Sequence, residues 1–145
     1  MKNLITFFLF VGLLMVTIAC SKSDNPTPDN QKSQKVLKSS GWIVSLYEDK
    51  GKDETHHFSG YSLNFGDDHS LVVSNGSKTF TGTWSILQSS DDSQSGEKLM
   101  LLISGNEVMD DLQDDWLIME LSNDFIRLAD DNQSHTEFLE LRQQN

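Results

Sequence analysis

From Trp42 to Arg142 the chain alternates apolar and polar positions in short runs. The clearest is FTGTWSIL, where Phe80, Gly82, Trp84 and Ile86 share one face and Thr81, Thr83 and Ser85 the other. A period of two is that of a half-buried strand. YSLNF repeats it, with Tyr61, Leu63 and Phe65 set against Ser62 and Asn64. WIVSLYE, HSLVV, KLMLLIS, WLIMELS, DFIRLAD and TEFLELR complete the set. Turn residues separate them: Gly66-Asp67-Asp68, Asn75-Gly76, Ser122-Asn123-Asp124 and Asp130-Asp131-Asn132. Only two stretches read as helical. One lies around Val36 and Leu37 and ends near Gly41. The other is SGNEVMDDLQDD, residues 104–115, where Ser104 and Glu107 match a capping box and Val108 and Leu112 stand four apart.

Even spacing and tight turns predict an all-β domain. The expected form is a small antiparallel up-and-down meander of about eight strands that removes its edges by closing into a β-barrel. A two-sheet β-sandwich is the alternative. The predicted inward face is Trp42, Val44, Leu46, Tyr61, Leu63, Phe65, Leu71, Val73, Phe80, Trp84, Ile86, Leu99, Leu101 and Ile103, joined by Trp116 and Ile118. Leu117, Met119 and Leu121 fall on the opposite face of their strand and are also apolar. That strand is therefore expected to be covered on both sides, by residues 104–115 or by a second subunit.

The N-terminal pattern is different. Lys2 precedes the apolar run LITFFLFVGLLMVTI, which ends at the small Ala19. Charge, apolar run and small residue are the order of a secretory signal. The run is shorter than the roughly 20 residues a spanning helix needs. Cys20, the one cysteine, follows directly. VTIAC at this place resembles the lipobox of bacterial lipoproteins, departing from it at Thr17. The resemblance implies a diacylglycerol group on the Cys20 thiol and cleavage before it. The next stretch, SKSDNPTPDNQKSQK, has no apolar residue except its prolines and reads as a disordered tether. The chain thus divides into a signal peptide (1–19), a lipidated Cys20 with its tether (20–35) and a domain (36–145). SSGWIVSLYE, TFTGTWSIL, WLIMELSNDFIRLAD and EFLELR, in that order, resemble the small lipocalin-like domains of lipoproteins from Bacteroidetes-type bacteria. That likeness implies an eight-stranded barrel or half-barrel and no particular cargo. Together the two resemblances point to a lipid-anchored protein of the cell envelope, at the outer membrane.

The charge narrows the partners. All 22 acidic residues follow Cys20, and every basic residue but Lys2 does too. A domain this acidic repels phosphate backbones and anionic headgroups, which argues against nucleic acid and leaves the acylated Cys20 as the contact with the bilayer. Motifs for chemistry are few. Asp91–Glu97 imitates the start of a calcium loop, but its twelfth position is Leu102 rather than a bidentate glutamate. Asp110, Asp111, Asp114 and Asp115 read as a solvated acidic face. His56 and His57, if in a strand, point to opposite faces. His69 and His135 sit in turns. No nucleophile elbow or phosphate-binding loop is present. No catalytic residue, metal site or cofactor is expected. The leading expectation is a non-enzymatic module that binds a small apolar ligand in the barrel or at its mouth, through Trp42, Tyr61, Phe65, Trp84, Met109, Leu112 and Trp116. The alternative is an envelope accessory lipoprotein, or an inhibitor of a cationic partner, with a packed barrel and no small ligand. In either case Cys20 carries the anchor. Cells fed labelled fatty acid should label the protein, and Cys20→Ala should abolish the label; equal labelling of the mutant would refute the assignment.

Overall fold

A computed structural model describes residues 28–89, 96–132 and 136–145. Nine strands form one antiparallel sheet: β1 (Trp42–Asp49), β2 (Lys52–Asp53), β3 (Ser62–Phe65), β4 (Ser70–Ser74), β5 (Thr79–Gln88), β6 (Glu97–Ile103), β7 (Asp115–Leu121), β8 (Phe125–Asp130) and β9 (Glu137–Gln143). From β3 to β9 every strand pairs with the next, and β9 returns to pair with β1. Eight strands thus close into a barrel, and β2 is an extra ribbon on the end of β1. The sandwich alternative is excluded. The other elements among the described residues are two helices, α1 (Pro28–Leu37) and α2 (Glu107–Asp110), and a 3-10 turn (Thr55–Phe58). Among the described residues no helix is long and apolar enough to cross a membrane.

The turns have the chemistry their residues suggest. Gly76 takes φ 83°, and the Asn75 side-chain oxygen accepts from Ser77 N and Lys78 N. Gly82 serves a close approach: a Cβ there would lie 2.2 Å from Leu102 O on the neighbouring strand. Such a position admits only glycine.

Alternation gives the wrong phase in two strands. In β1 the register with β9 runs from Val44↔Leu141 to Leu46↔Glu140, so Ser45 is an extra residue. A bulge inserts one residue and turns the following side chains over. Leu46, expected inside, therefore lies opposite Glu140, while Tyr47 lies opposite the buried Leu139 and is itself buried. In β7 the register moves from Ile118↔Leu128 to Glu120↔Arg127, leaving Met119 extra. Leu121 comes back to the inside, opposite Ile126, and packs against the core; Met119 is 57% exposed. Of the three residues expected on the outer face, Leu117 alone is both outward and buried. Lys98, which lies across from Leu117 in the ladder, is held by Asp131 at 2.7 Å.

Helical structure begins earlier than expected. α1 begins at Pro28, inside the stretch read as disordered, and Ser33, Val36 and Leu37 are buried. Pro at the first helical position has its φ pre-set and lacks only an N–H that the helix would leave unpaired. Several contacts tie this segment to one end of the barrel, among them a hydrogen bond from Gln88 Nε2 to Asn30 Oδ1 at 2.9 Å. Ser33 Oγ bonds Glu97, Trp42 Nε1 donates to Leu37 O at 2.8 Å, and Lys38 meets Asp67 at 2.7 Å.

Both bulges carry a consequence for stability. Tyr47→Ala should cost ~3–5 kcal/mol, as for other buried aromatics, and Leu46→Ser less than ~1 kcal/mol. Urea unfolding of the two variants decides the phase of β1; equal losses would return Leu46 to the core.

Candidate functional site

Three regions could carry recognition: the barrel interior, its α2 end and a cleft in its wall.

The interior is filled. Of the seven candidate ligand residues, Trp42, Met109, Leu112 and Trp116 have no exposure, Trp84 has 2%, Phe65 6% and Tyr61 9%. They belong to a single buried cluster with Leu63, Leu71, Leu99, Leu101, Ile126, Leu128, Leu139 and Leu141. An eight-stranded barrel is just wide enough for side chains to fill it. Phe65 and Trp84 meet edge to face at 5.5 Å. The indole donors are also taken. Trp84 Nε1 donates to Gly66 O at 3.1 Å and Trp116 Nε1 to Leu112 O at 3.0 Å, as Trp42 does to Leu37. Each tryptophan thus fastens one non-strand segment to the barrel: α1, the β3–β4 turn or the α2 segment.

The α2 end is closed rather than open. Exposed Met109 and Leu112 would have made a lid or docking edge; both are wholly buried and plug the barrel. The cap also differs from expectation. Asn106, not Ser104, is the N-cap, and its Oδ1 accepts from Met109 N at 3.1 Å. Asn beside the helix start outcompetes a more distant serine because the bond goes to the third helical N–H. The four aspartates do not converge. Asp110 is exposed, Asp111 turns toward Glu54 and His57, and Asp114 toward Asp130 and Asp131.

Across from α2 lies the 3-10 turn. It fills a gap in the wall, because β3 pairs with β1 only at Trp42↔Leu63 and Ile43↔Ser62. Beyond that point Thr55 Oγ1 accepts from Tyr47 N at 2.9 Å, and Glu54 N donates to Tyr47 O at 2.9 Å. Phe58 is buried against Tyr47, with ring centroids 5.2 Å apart. Burial, reinforced by Glu137 and Asp111, pushes the Tyr47 hydroxyl well above its ordinary pKa. His56 and His57 lie in this turn, not in a strand, and their rings touch at 4.3 Å between centroids. A cleft of about 400 Å³ remains where β1 and β3 part, lined by Val44, Thr55, His56, Phe58, Tyr61 and Gln144 among others. Tyr61 is the one candidate ligand residue that lines it.

One constellation escaped the sequence. A ligand atom from each of Glu54, His57 and Asp111 lies within 4.8 Å of the other two. Glu54 and His57 stand three apart around the 3-10 turn, but Asp111 comes from a distant part of the chain, and no linear spacing joins it to them. The calcium-like stretch Asp91–Ser95 and His135 lie outside the described residues.

The α2 end is electrostatically crowded. Burial raises the carboxyls of Asp111, Asp114 and Glu137, and neighbouring acids raise them further. Such groups hold protons more tightly folded than unfolded. They cost stability as pH rises from the ordinary carboxylate range through the raised values. The exposed Asp53 and Asp68 and the half-buried Glu54 shift the other way, through side-chain hydrogen bonds to Thr55, Ser70 and Lys52 respectively.

Comparison with known proteins gives the fold and little more. The chain matches no protein-family profile and no curated protein. It is similar in structure to a DUF4847 family protein from Bacteroides vulgatus ATCC 8482, with a TM-score of 0.53 and 13% identity, over 77% of this chain and 99% of that one. The shared architecture is a small antiparallel β-barrel.

The titration has a direct test. Asp114→Asn should raise the thermal midpoint at pH 7, and the gain should disappear below about pH 4, where the unfolded carboxyl is itself protonated. A gain of equal size at both pH values would remove electrostatics as its cause.

Proposed function

We propose that the protein is a non-enzymatic, lipid-anchored module of the cell envelope that acts through its outer surface, docking another envelope protein. The observation that carries this reading is the filled interior. Residues that would line a ligand chamber are packed against one another, and Met109 and Leu112 plug the α2 end. This favours the accessory role over a small ligand held within the barrel. Support for the anchor comes from Cys20 directly after Ala19. Support for a docking role comes from the surface. Ile43, Leu87, Leu102 and Met119 are 38–57% exposed, on a strongly acidic chain. Apolar contacts within an acidic surface suit a partner with a basic rim.

The cleft keeps a second reading alive. Phe58, Val44 and Tyr61 give it an apolar wall, so a small apolar ligand would sit there, outside the barrel.

Tryptophan fluorescence separates the readings. With all three indoles in the packed core, titration with fatty acids, sterols and haem should give no saturable change. A photo-crosslinker at Ile43 or Met119 should capture an envelope protein in cells. A saturable fluorescence change that Tyr61→Ser abolishes would instead establish the small-ligand reading.

A further inference from the structure

We propose that Glu54, His57 and Asp111 form a site for a divalent transition-metal ion, of the zinc class, that ties the 3-10 turn to the α2 segment. The three donors lie within 4.8 Å of one another. Their backbones are fixed independently. His57 N donates to Glu54 O at 3.0 Å within the 3-10 turn, which is seated in the core by Phe58. Asp111 closes α2, with its N bonded to Glu107 O, and is flanked by the buried Met109 and Leu112. The site therefore rests on two elements whose apolar residues already hold them in place. A donor set on rigid supports keeps its geometry without an ion.

A second observation concerns the imidazole itself. His57 Nδ1 is shut off from solvent and has no hydrogen-bond partner among the described residues. A buried polar atom left so carries a desolvation cost. Two carboxylates, Glu54 and Asp111, each bring an oxygen within 4.8 Å of the ring's ligand nitrogen and of each other. Lys52, largely exposed, pairs with Glu54 alone. A cation among the three donors would relieve the like-charge crowding, and one held through Nδ1 would also partner the unpaired nitrogen.

The donor set selects the ion. Calcium takes six to eight oxygens, and magnesium keeps most of its water. One imidazole nitrogen with two carboxylates suits zinc, cobalt, nickel, manganese or ferrous iron. Bonds of about 2.0–2.2 Å would place tetrahedral ligands roughly 3.4 Å apart, so the side chains need close in by at most about 1.4 Å. Three protein ligands leave at least one position open, to water or to a donor from a partner.

The test uses the full-length protein in detergent, carrying Cys20→Ser throughout so that no thiol competes for the ion. After chelator treatment, zinc should bind at about one ion per chain and raise the thermal midpoint, and chelator should reverse the rise. Cobalt should give a visible d–d spectrum in the same stoichiometry. His57→Ala and Asp111→Asn should each weaken binding by about tenfold or more, and circular dichroism of each metal-free variant should match the parent. His56→Ala, which alters the adjacent ring, should leave binding unchanged. Calcium and magnesium at the same concentration should not compete. Zinc binding weaker than millimolar overturns the proposal, as does binding that survives Asp111→Asn or disappears with His56→Ala. Equal binding of calcium refutes the assigned class of ion.

Discussion

Everything in this molecule depends on the pairing of its first strand with its last. Seven register pairs join β1 to β9, from Trp42↔Gln143 to Asp49↔Glu137. Without them the sheet would present two long unpaired edges, each a template for aggregation. With them the sheet closes, and closure fixes how wide the interior is. At eight strands that width matches the volume of the side chains pointing in. The bulge at Ser45 belongs to the same constraint. It bends β1 so that its start faces β3 while its whole length faces β9.

Closure decides what the inside can be used for. Large aromatic residues occupy it, and their polar atoms are spoken for. The three indole N–H groups each end on a backbone carbonyl outside the strands. Buried donors need partners, and these partners are the segments that close the barrel ends. The tryptophans therefore do two things at once: their rings fill the core and their nitrogens hold the covers. What is left for recognition is the outside, where the wall is incomplete between β1 and β3 and where acidic groups gather beside α2.

Much of the fold was legible because strands announce themselves by alternation. Phe80–Leu87 reads correctly residue by residue, as do Tyr61–Phe65 and Leu99–Ile103. The misreadings have one physical root. A bulge shifts parity by one, and nothing in WIVSLYE or WLIMELS marks Ser45 or Met119 as the extra residue. Hence strict alternation puts Leu46 and Leu121 on the wrong face. Met109 and Leu112 carry a different ambiguity. A short amphipathic piece between two strands looks the same whether its apolar side faces a partner or the barrel it plugs. The joining of Asp111 to Glu54 and His57 is invisible in the sequence. The three donors are assembled by the contact between the 3-10 turn and α2, which only the closed barrel creates.

The pairing of chain ends also governs how the molecule comes to exist. Ser45 Oγ reaches Glu140 O across a sequence separation of 95 residues. Hairpins from β3 to β9 can form as neighbours meet, but the closing ladder must wait for almost the whole chain. Contacts this distant carry the largest loop-closure entropy and slow folding. Until Glu137–Gln143 emerges, β1 has little to pair with beyond two positions of β3 and the small β2 ribbon. The barrel is thus an all-or-none object with respect to its C-terminus. A chain cut short before β9 keeps most of its sequence and lacks the fold.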